Sequence, residues 1–479
     1  MEPINIIIIG LGYHAKRIYL DFHLQNENVN LVGVVDLYSQ KNIIENFLRE
    51  KQINVKICFL KNDVISDKLD LNDKKLLNKF IKDCKCNAVI ISTEPLAHFK
   101  YVVWALKNKL HILLDKPITT EIDVSVNLKK AQKLFRDYLK IEKIYKKLLE
   151  NKNLIFILQA QRRFHKGFIY AKEKIKEIEE KTNCPITSIH SFHSDGQWRL
   201  PEEIININYH SFNQNYGKMS HSGYHSLDIS LWLCSRIKDS SKSFNSFEVY
   251  SKFNRPSDFL NQLQPKDYKN LFGNYKSNID GDYFKIKKIR GEIDAFNSIS
   301  FYNKKGALIT HLTCDVVHNG FSQRGWISPN LKDLYKGNGR VRQESYVIEQ
   351  GPFQSIVINS LQSKEILKEE KRDDVGGEDN FDVHVFRNSN LFKECKPYEL
   401  FQIVDKNIFQ VNDYSRGHNE NARRDCIIEF IKSIKENKIP ENQISNFFQH
   451  KLSTKVLSSI YESGVKDLSG LNNKIIKII

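Results

Sequence analysis

Ile4-Asn5-Ile6-Ile7-Ile8-Ile9 runs straight into Gly10-Leu11-Gly12-Tyr13-His14-Ala15, and this stretch decides the fold. A short apolar run ending in glycine reads as a buried strand that opens into a tight turn, with a helix from about Ala15. Such a turn suits a dinucleotide. Gly10 permits the bend, Gly12 leaves room for a pyrophosphate, and the small Ala15 lets the helix approach the strand. The free N–H groups of the helix start, with Tyr13 and His14 beside them, then face the phosphates. A second apolar strand, Leu31 to Val35, ends in Asp36, 24 residues beyond Gly12. That is where the ribose-binding acid of such a unit belongs. The Asp36 carboxylate accepts bonds from ribose hydroxyls and repels a 2′-phosphate, and Leu37-Tyr38-Ser39 offers no arginine to receive one, although Lys41 is near. NAD is therefore expected, with NADP as the alternative.

The remaining composition narrows the classes. At 479 residues the chain is long enough for two or three domains. No apolar stretch approaches the roughly 18 residues of a membrane-spanning helix, and the N-terminus lacks the pattern of a secretory signal, so no membrane partner is expected. Eight cysteines are scattered, and the closest pair, Cys84-x-Cys86, has neither zinc nor redox spacing, which points to reduced thiols in a cytoplasm. The net charge of +16 is spread as lysine over predicted helix surfaces rather than gathered in one patch, so no nucleic-acid partner is expected. The densest basic run, Lys285 to Arg290, reads as a strand with one solvated face.

Strands are expected at 4–9, 31–35, 55–59, 88–92 and 111–114, with helices at 15–25, 40–50, 70–83 and 96–107. This alternation argues for an α/β fold: an N-terminal Rossmann, doubly wound parallel sheet over residues 1–120. A charged helix near 121–150 and a strand at 154–159 link onward to about 160. From 161 to 479 the texture becomes that of a C-terminal α+β domain on a mainly antiparallel sheet, with strand-like runs at 186–193, 246–253, 298–303, 306–314 and 345–349. Residues 255–285 and 330–345 read as long loops, with insertions extending to about 400. Two final helices, 421–436 and 445–464, are expected to return toward the first domain.

Residues 88–117 bear a more specific resemblance. Ala88-Val89-Ile90-Ile91-Ser92-Thr93-Glu94-Pro95-Leu96-Ala97-His98, then His111-Ile112-Leu113-Leu114-Asp115-Lys116-Pro117, resembles the signature of the Gfo/Idh/MocA oxidoreductases, the relatives of glucose–fructose oxidoreductase and inositol dehydrogenase. In that family a strand ends in Glu-Lys-Pro, and the lysine reaches nicotinamide and substrate. Here Asp115 stands in place of the glutamate. The resemblance implies cofactor contacts at Thr93, Pro95, His98, Asp115 and Lys116, and a cis bond before Pro117. Independently, a lysine just past a parallel strand's carboxyl end sits at the rim where ligands bind, and its ammonium stabilises an alkoxide developing on a substrate.

The resemblance resumes over Ser220 to Asp228, which holds His221-Ser222-Gly223-Tyr224-His225-Ser226-Leu227-Asp228. The family stretch is Asp-x-x-x-His-x-x-Asp, its histidine exchanging a proton with the reacting hydroxyl. His225 and Asp228 match that pattern, and His221 stands where an aspartate is common. Imidazole titrates near pH 6.5, so His225 is suited to accept and return a proton, with Asp228 placed to orient the ring or to cap local backbone. The reading also places His221 and His225 on one helix face at i and i+4. No third metal ligand is evident, and no metal is expected.

Polar-aromatic segments after Ala160 supply substrate candidates: Arg163, Trp198, Arg199 and Arg324, with His221. Flat rings pack on sugar faces and guanidinium groups bond hydroxyls or anions. The sequence therefore predicts an NAD(P)-dependent oxidoreductase acting on a hydroxyl-bearing carbon of a sugar, cyclitol or nucleotide sugar. A redox glycosidase that retains its NAD and a non-catalytic dinucleotide-sensing regulator are the alternatives. The resemblance implies a homo-oligomer, dimer or tetramer.

Overall fold

Six short strands pair in parallel: β1 (Ile4–Ile9), β2 (Val29–Leu37), β3 (Lys56–Leu60), β4 (Ala88–Ile91), β5 (His111–Leu114) and β6 (Phe156–Leu158). Their order across the sheet is β3-β2-β1-β4-β5-β6. The chain steps outward from β1 to β3, then returns to the other side of β1 with β4. This reversal makes a switch point between β1 and β4, where open α/β sheets bind ligands. The computed structural model describes residues 3–20, 29–61, 67–207, 212–234, 237, 239–273, 285–324, 339–363, 379–405 and 418–479.

The chain divides into two units. Unit 1 holds Met1–Thr120, Leu134–Phe164 and Asn419–Thr454, and unit 2 holds Glu121–Lys133, His165–His418 and Lys455–Ile479. In unit 1 the helices between strands are α1 (Tyr13–Ala15), α2 (Lys41–Glu50), α3 (Leu71–Asp83) and α4 (His98–Lys107). Ile6 and Ile8 of β1, Ile90 of β4 and Ile157 of β6 share one core with Ala15 and Ile44. Ala422, Cys426 and Phe430 complete it from a helix near the other end of the chain, His418–Lys435. Strands buried on both faces need apolar side chains on both, which is why β4 and Ile6–Ile9 of β1 read as aliphatic runs, with polar Asn5 only at the half-buried start of β1.

Unit 2 is built on nine strands, in the order β14-β13-β12-β11-β7-β10-β9-β8-β15. These are β7 (Ser188–Ser194), β8 (Ser246–Asn254), β9 (Asp294–Tyr302), β10 (Leu308–Val317), β11 (Val341–Gln350), β12 (Gln354–Ser363), β13 (Asp379–Arg387), β14 (Tyr398–Asp405) and β15 (Ile475–Ile478). β7 and β10 pair in parallel, and the other neighbours are antiparallel. Helix Ser222–Cys234 packs on β7 and β10. Burial alternates along β10 and β11, as expected for a sheet covered on one face.

Several expectations are corrected. The helix placed at 121–150 begins at Leu128, where Asn127 caps it by accepting the Lys130 N–H at 3.2 Å. The helix placed at 15–25 is α-helical only through Ala15 and continues as a π-turn over Lys16–Leu20, and 21–28 lie outside the described residues. The loop at 255–285 contains helices Pro256–Gln262 and Pro265–Phe272. Each proline sits in the first helical turn, where its missing N–H costs nothing. Lys285–Arg290 is a helical turn rather than a strand: Ile286 and Ile289, three apart, are both buried and the Ile289 N–H bonds the Ile286 carbonyl at 2.9 Å. Strands β12 to β15 were not anticipated.

Candidate functional site

In unit 1 the sequence-predicted residues gather at the carboxyl ends of β1, β2, β4 and β5. Gly10 adopts φ +88° and donates its N–H to the Val35 carbonyl at 2.9 Å. A Cβ there would lie 2.6 Å from the Ser92 carbonyl oxygen and 2.9 Å from Thr93 Cγ2. Conformation and close approach therefore both demand glycine. Gly12, at the start of α1, faces the opposite circumstance: a Cβ would meet nothing within 4 Å. That open ground beside a helix start is what a pyrophosphate requires. Tyr13 is exposed, Ala15 is buried in the core, and His14 is partly open between them.

Asp36 closes the other side of the turn. Its Oδ2 accepts the Leu11 N–H and its Oδ1 the Leu37 N–H, each at 2.7 Å. Each oxygen keeps lone pairs for further donors such as ribose hydroxyls. Burial pushes the Asp36 carboxyl up, against the two amide bonds and the nearby Lys16 ammonium.

The end of β5 is tied to the same turn through Ser92. Ser92 Oγ donates to Asp115 Oδ2 at 2.5 Å, and Tyr19, from the π-turn, donates its hydroxyl to Oδ1. His14 Nε2 lies 3.9 Å from Oδ1. Burial raises Asp115, while burial and the cations of Arg423, Arg17 and Lys116 hold His14 well below its usual range. His14 is thus held toward its neutral form, and Asp115 accepts a hydrogen bond on each oxygen. The Lys116–Pro117 bond is cis. His98 is fully buried, with Nδ1 2.8 Å from the Pro117 carbonyl oxygen and Nε2 3.1 Å from that of Thr93. Thr93 and Pro95 belong to the turn it braces, Pro95 opening the short helix Pro95–Ala97. His98 therefore acts on backbone, not on an open face.

In unit 2, His225 and Asp228 are buried on helix Ser222–Cys234 and share a face at i and i+3. His221 departs from the expectation. It precedes the helix with φ −116° and ψ −110°, so the two histidines are not an i, i+4 helical pair. Its ring packs 5.1 Å from that of Tyr216.

The substrate candidates after Ala160 have internal partners. Arg163, in unit 1, bonds Gln449 Oε1 and His450 Nδ1, both at 3.2 Å. In unit 2, Arg199 bonds Gln197 Oε1 at 2.5 Å, and Arg324 pairs with Glu203 at 2.7 Å. All three are buried. Trp198 stands against Phe272 at 5.4 Å, from one of the helices in the 255–285 segment. Sequence reasoning missed a buried network around Asp195, formed by Lys218, His318 and Arg340 from distant segments.

An open parallel sheet, a glycine turn at its switch point and an acid ending β2 define unit 1 as a dinucleotide-binding Rossmann fold. Residues 4–139 match the model of the Gfo/Idh/MocA family, an oxidoreductase family with an NAD-binding Rossmann fold. No curated protein sequence matches the chain. Among solved structures, the fold is similar to an aldose-aldose oxidoreductase from Caulobacter crescentus crystallised with glycerol, at 12% identity, TM-score 0.56 and 100% of both chains. It is also similar to a 3-ketoreductase from Actinomadura kijaniata in complex with NADP and TDP-benzene, at 10% identity, TM-score 0.53, and 96% of this chain and 97% of that one. A third is an oxidoreductase from Agrobacterium radiobacter in complex with NAD+, L-tartaric acid and magnesium, at 11% identity, TM-score 0.53, and 99% and 98% coverage. No described helix is long and apolar enough to cross a membrane.

Proposed function

We propose that this protein is an NAD-dependent oxidoreductase that interconverts a hydroxyl-bearing carbon and its carbonyl on a sugar, cyclitol or nucleotide sugar. One observation carries the reading: Ser92 abuts the glycine turn through its carbonyl and holds Asp115 through its hydroxyl, so the turn and Lys116 share one rim of unit 1. The Gly10–Gly12 turn and the start of α1 would hold the pyrophosphate, and Asp36 the adenosine ribose, which favours NAD over NADP. Bound NAD supplies the hydride acceptor or donor. Lys116 polarises the substrate oxygen, and His225 takes the hydroxyl proton in oxidation and returns it in reduction, with Asp228 one turn on to orient the ring. The substrate class is supported by the aldose-aldose oxidoreductase and the TDP-benzene-bound ketoreductase among the similar folds.

We further propose a homo-oligomer, since the unit 2 sheet leaves Phe192, Tyr250, Phe296 and Phe386 exposed on one face. The direct test of the reaction is a panel of sugars, cyclitols and nucleotide sugars offered with NAD+, and their keto forms with NADH, followed by nicotinamide absorbance. A flat trace throughout, with cofactor bound, would leave the sensing alternative standing.

A further inference from the structure

The segment Gly217–Ser222 carries His221 and begins the helix of His225, and two buried carboxylates grip it. The Lys218 N–H donates to the Glu292 carbonyl at 2.9 Å and the Met219 N–H to Glu292 Oε1 at 3.1 Å. Tyr461 donates to that same Oε1 at 2.6 Å and lies 2.7 Å from the Ser220 hydroxyl. The second carboxylate is Asp195, the first residue past β7. Its Oδ2 receives Lys218 Nζ at 2.6 Å and Ser222 Oγ at 3.1 Å. A single oxygen thus bridges residues four apart, and His221 lies between them.

Asp195 is itself fixed. His318 Nδ1 lies 3.1 Å from Oδ2, Arg340 Nη2 lies 3.4 Å from Oδ1, and Arg340 Nε donates to the Asp195 carbonyl at 2.9 Å. Lys218 is fixed too, its Nζ donating to His193 Nδ1 at 3.0 Å. Burial alone would raise the Asp195 carboxyl, but Lys218, the His318 bond, His193 and Arg340 hold it well below the usual range, so it stays an anion. A charged hub with four side-chain partners costs more to assemble than one salt bridge needs. It gains the ability to set a turn in one conformation.

We propose that Asp195 is a positioning residue for the unit 2 half of the reaction. Its shared oxygen fixes the start of the helix and so the direction in which the His225 imidazole is presented. This rests on the proton-transfer role assigned to His225 above. The test compares Asp195→Asn, which keeps shape but loses charge, with Ser222→Ala, which removes one contact and leaves the Lys218 pair intact. Two readouts are taken on the full-length protein: steady-state kinetics, and the His225 ring resonances in histidine-labelled protein, assigned by their loss in His225→Gln. Asp195→Asn is expected to displace the His225 resonances and lower kcat about 10- to 100-fold, the scale of a small misplacement of a reacting group. NADH affinity should stay within about twofold. Ser222→Ala should move both readouts in the same direction by less. Wild-type resonances in folded Asp195→Asn and Ser222→Ala would overturn the proposal. If Asp195→Asn fails to fold, unmoved resonances in Ser222→Ala overturn it alone. A wild-type protein that transfers no hydride sinks the catalytic reading, while the resonance comparison still decides the role of Asp195.

Discussion

His98 Nδ1 lies 2.8 Å from the carbonyl oxygen of Pro117, and its Nε2 lies 3.1 Å from that of Thr93. The ring therefore bridges the turn after β4 to the segment that carries Lys116. A neutral imidazole has one N–H, so it donates to one carbonyl at a time, and only the protonated ring donates to both. Replacing it frees the backbone beside Lys116 without touching the glycine turn. His98→Ala is expected to lower kcat about 10- to 100-fold through misplacement of Lys116, with NAD affinity within about threefold of wild type. Steady-state kinetics and a cofactor titration check this, and unchanged kcat would leave His98 a packing residue.

Burial pushes His98 down to about 4. An unfolded histidine titrates near pH 6.5, so the folded protein favours the neutral ring. The resulting stability is fully present above about pH 6.5 and is lost as pH falls from there toward 4, where only the unfolded chain binds the proton. Asp36, Asp115 and Glu292, raised by burial, act with the opposite sign, so the difference between two proteins is the useful quantity. The stability gap between wild type and His98→Gln should narrow by up to about 3 kcal/mol from pH 7 to 4.5. Urea unfolding at the two pH values measures it, and a constant gap contradicts the assignment.

Lys116→Ala should retain NAD binding, because the glycine turn and Asp36 are untouched. Turnover should drop at least about 10²-fold, as the substrate oxygen loses its cation. Wild-type turnover in this variant removes Lys116 from the chemistry.

Gly10 and Gly12 should respond differently to alanine. At Gly10 the new Cβ meets the Ser92 carbonyl at 2.6 Å on a left-handed backbone, so Gly10→Ala should lower the melting temperature and abolish binding together. At Gly12 the new methyl enters open space. Gly12→Ala should melt like wild type, yet bind NAD at least about tenfold more weakly. Thermal denaturation with and without cofactor separates the two, and equal melting losses would contradict the reading of the turn.

What the sequence disclosed depended on how local each signal was. β1 and β4 were legible because the stretches buried on both faces, Ile6–Ile9 and Ala88–Ile91, are aliphatic throughout. Gly10, Gly12 and Asp36 were legible because their spacing lies within one βαβ unit. β12, Gln-Ser-Ile-Val-Ile-Asn-Ser-Leu-Gln-Ser over 354–363, was missed because its polar residues alternate weakly beside a charged stretch. Pro256 and Pro265 were read as loop markers, although proline suits a helix's first turn equally well. The Asp195 hub was beyond reach, since His318 meets it across 123 residues of chain. Arg163, Arg199 and Arg324 looked like ligand contacts because Gln449, Gln197 and Glu203, which occupy them, are revealed only by the fold.

The helix His418–Lys435 contributes Ala422, Cys426 and Phe430 to the same core as Ile6 and Ile8. During synthesis, the six parallel strands emerge some 260 residues before the element that seals them, since β6 ends at Leu158 and Ala422 follows much later. Until then the nascent sheet exposes aliphatic surface that a ribosome-bound chain must shield by other means. A fragment cut after β6 would inherit the same nakedness, so the nucleotide-binding half is not a portable module, and the last eighth of the chain is as much its founding material as the first.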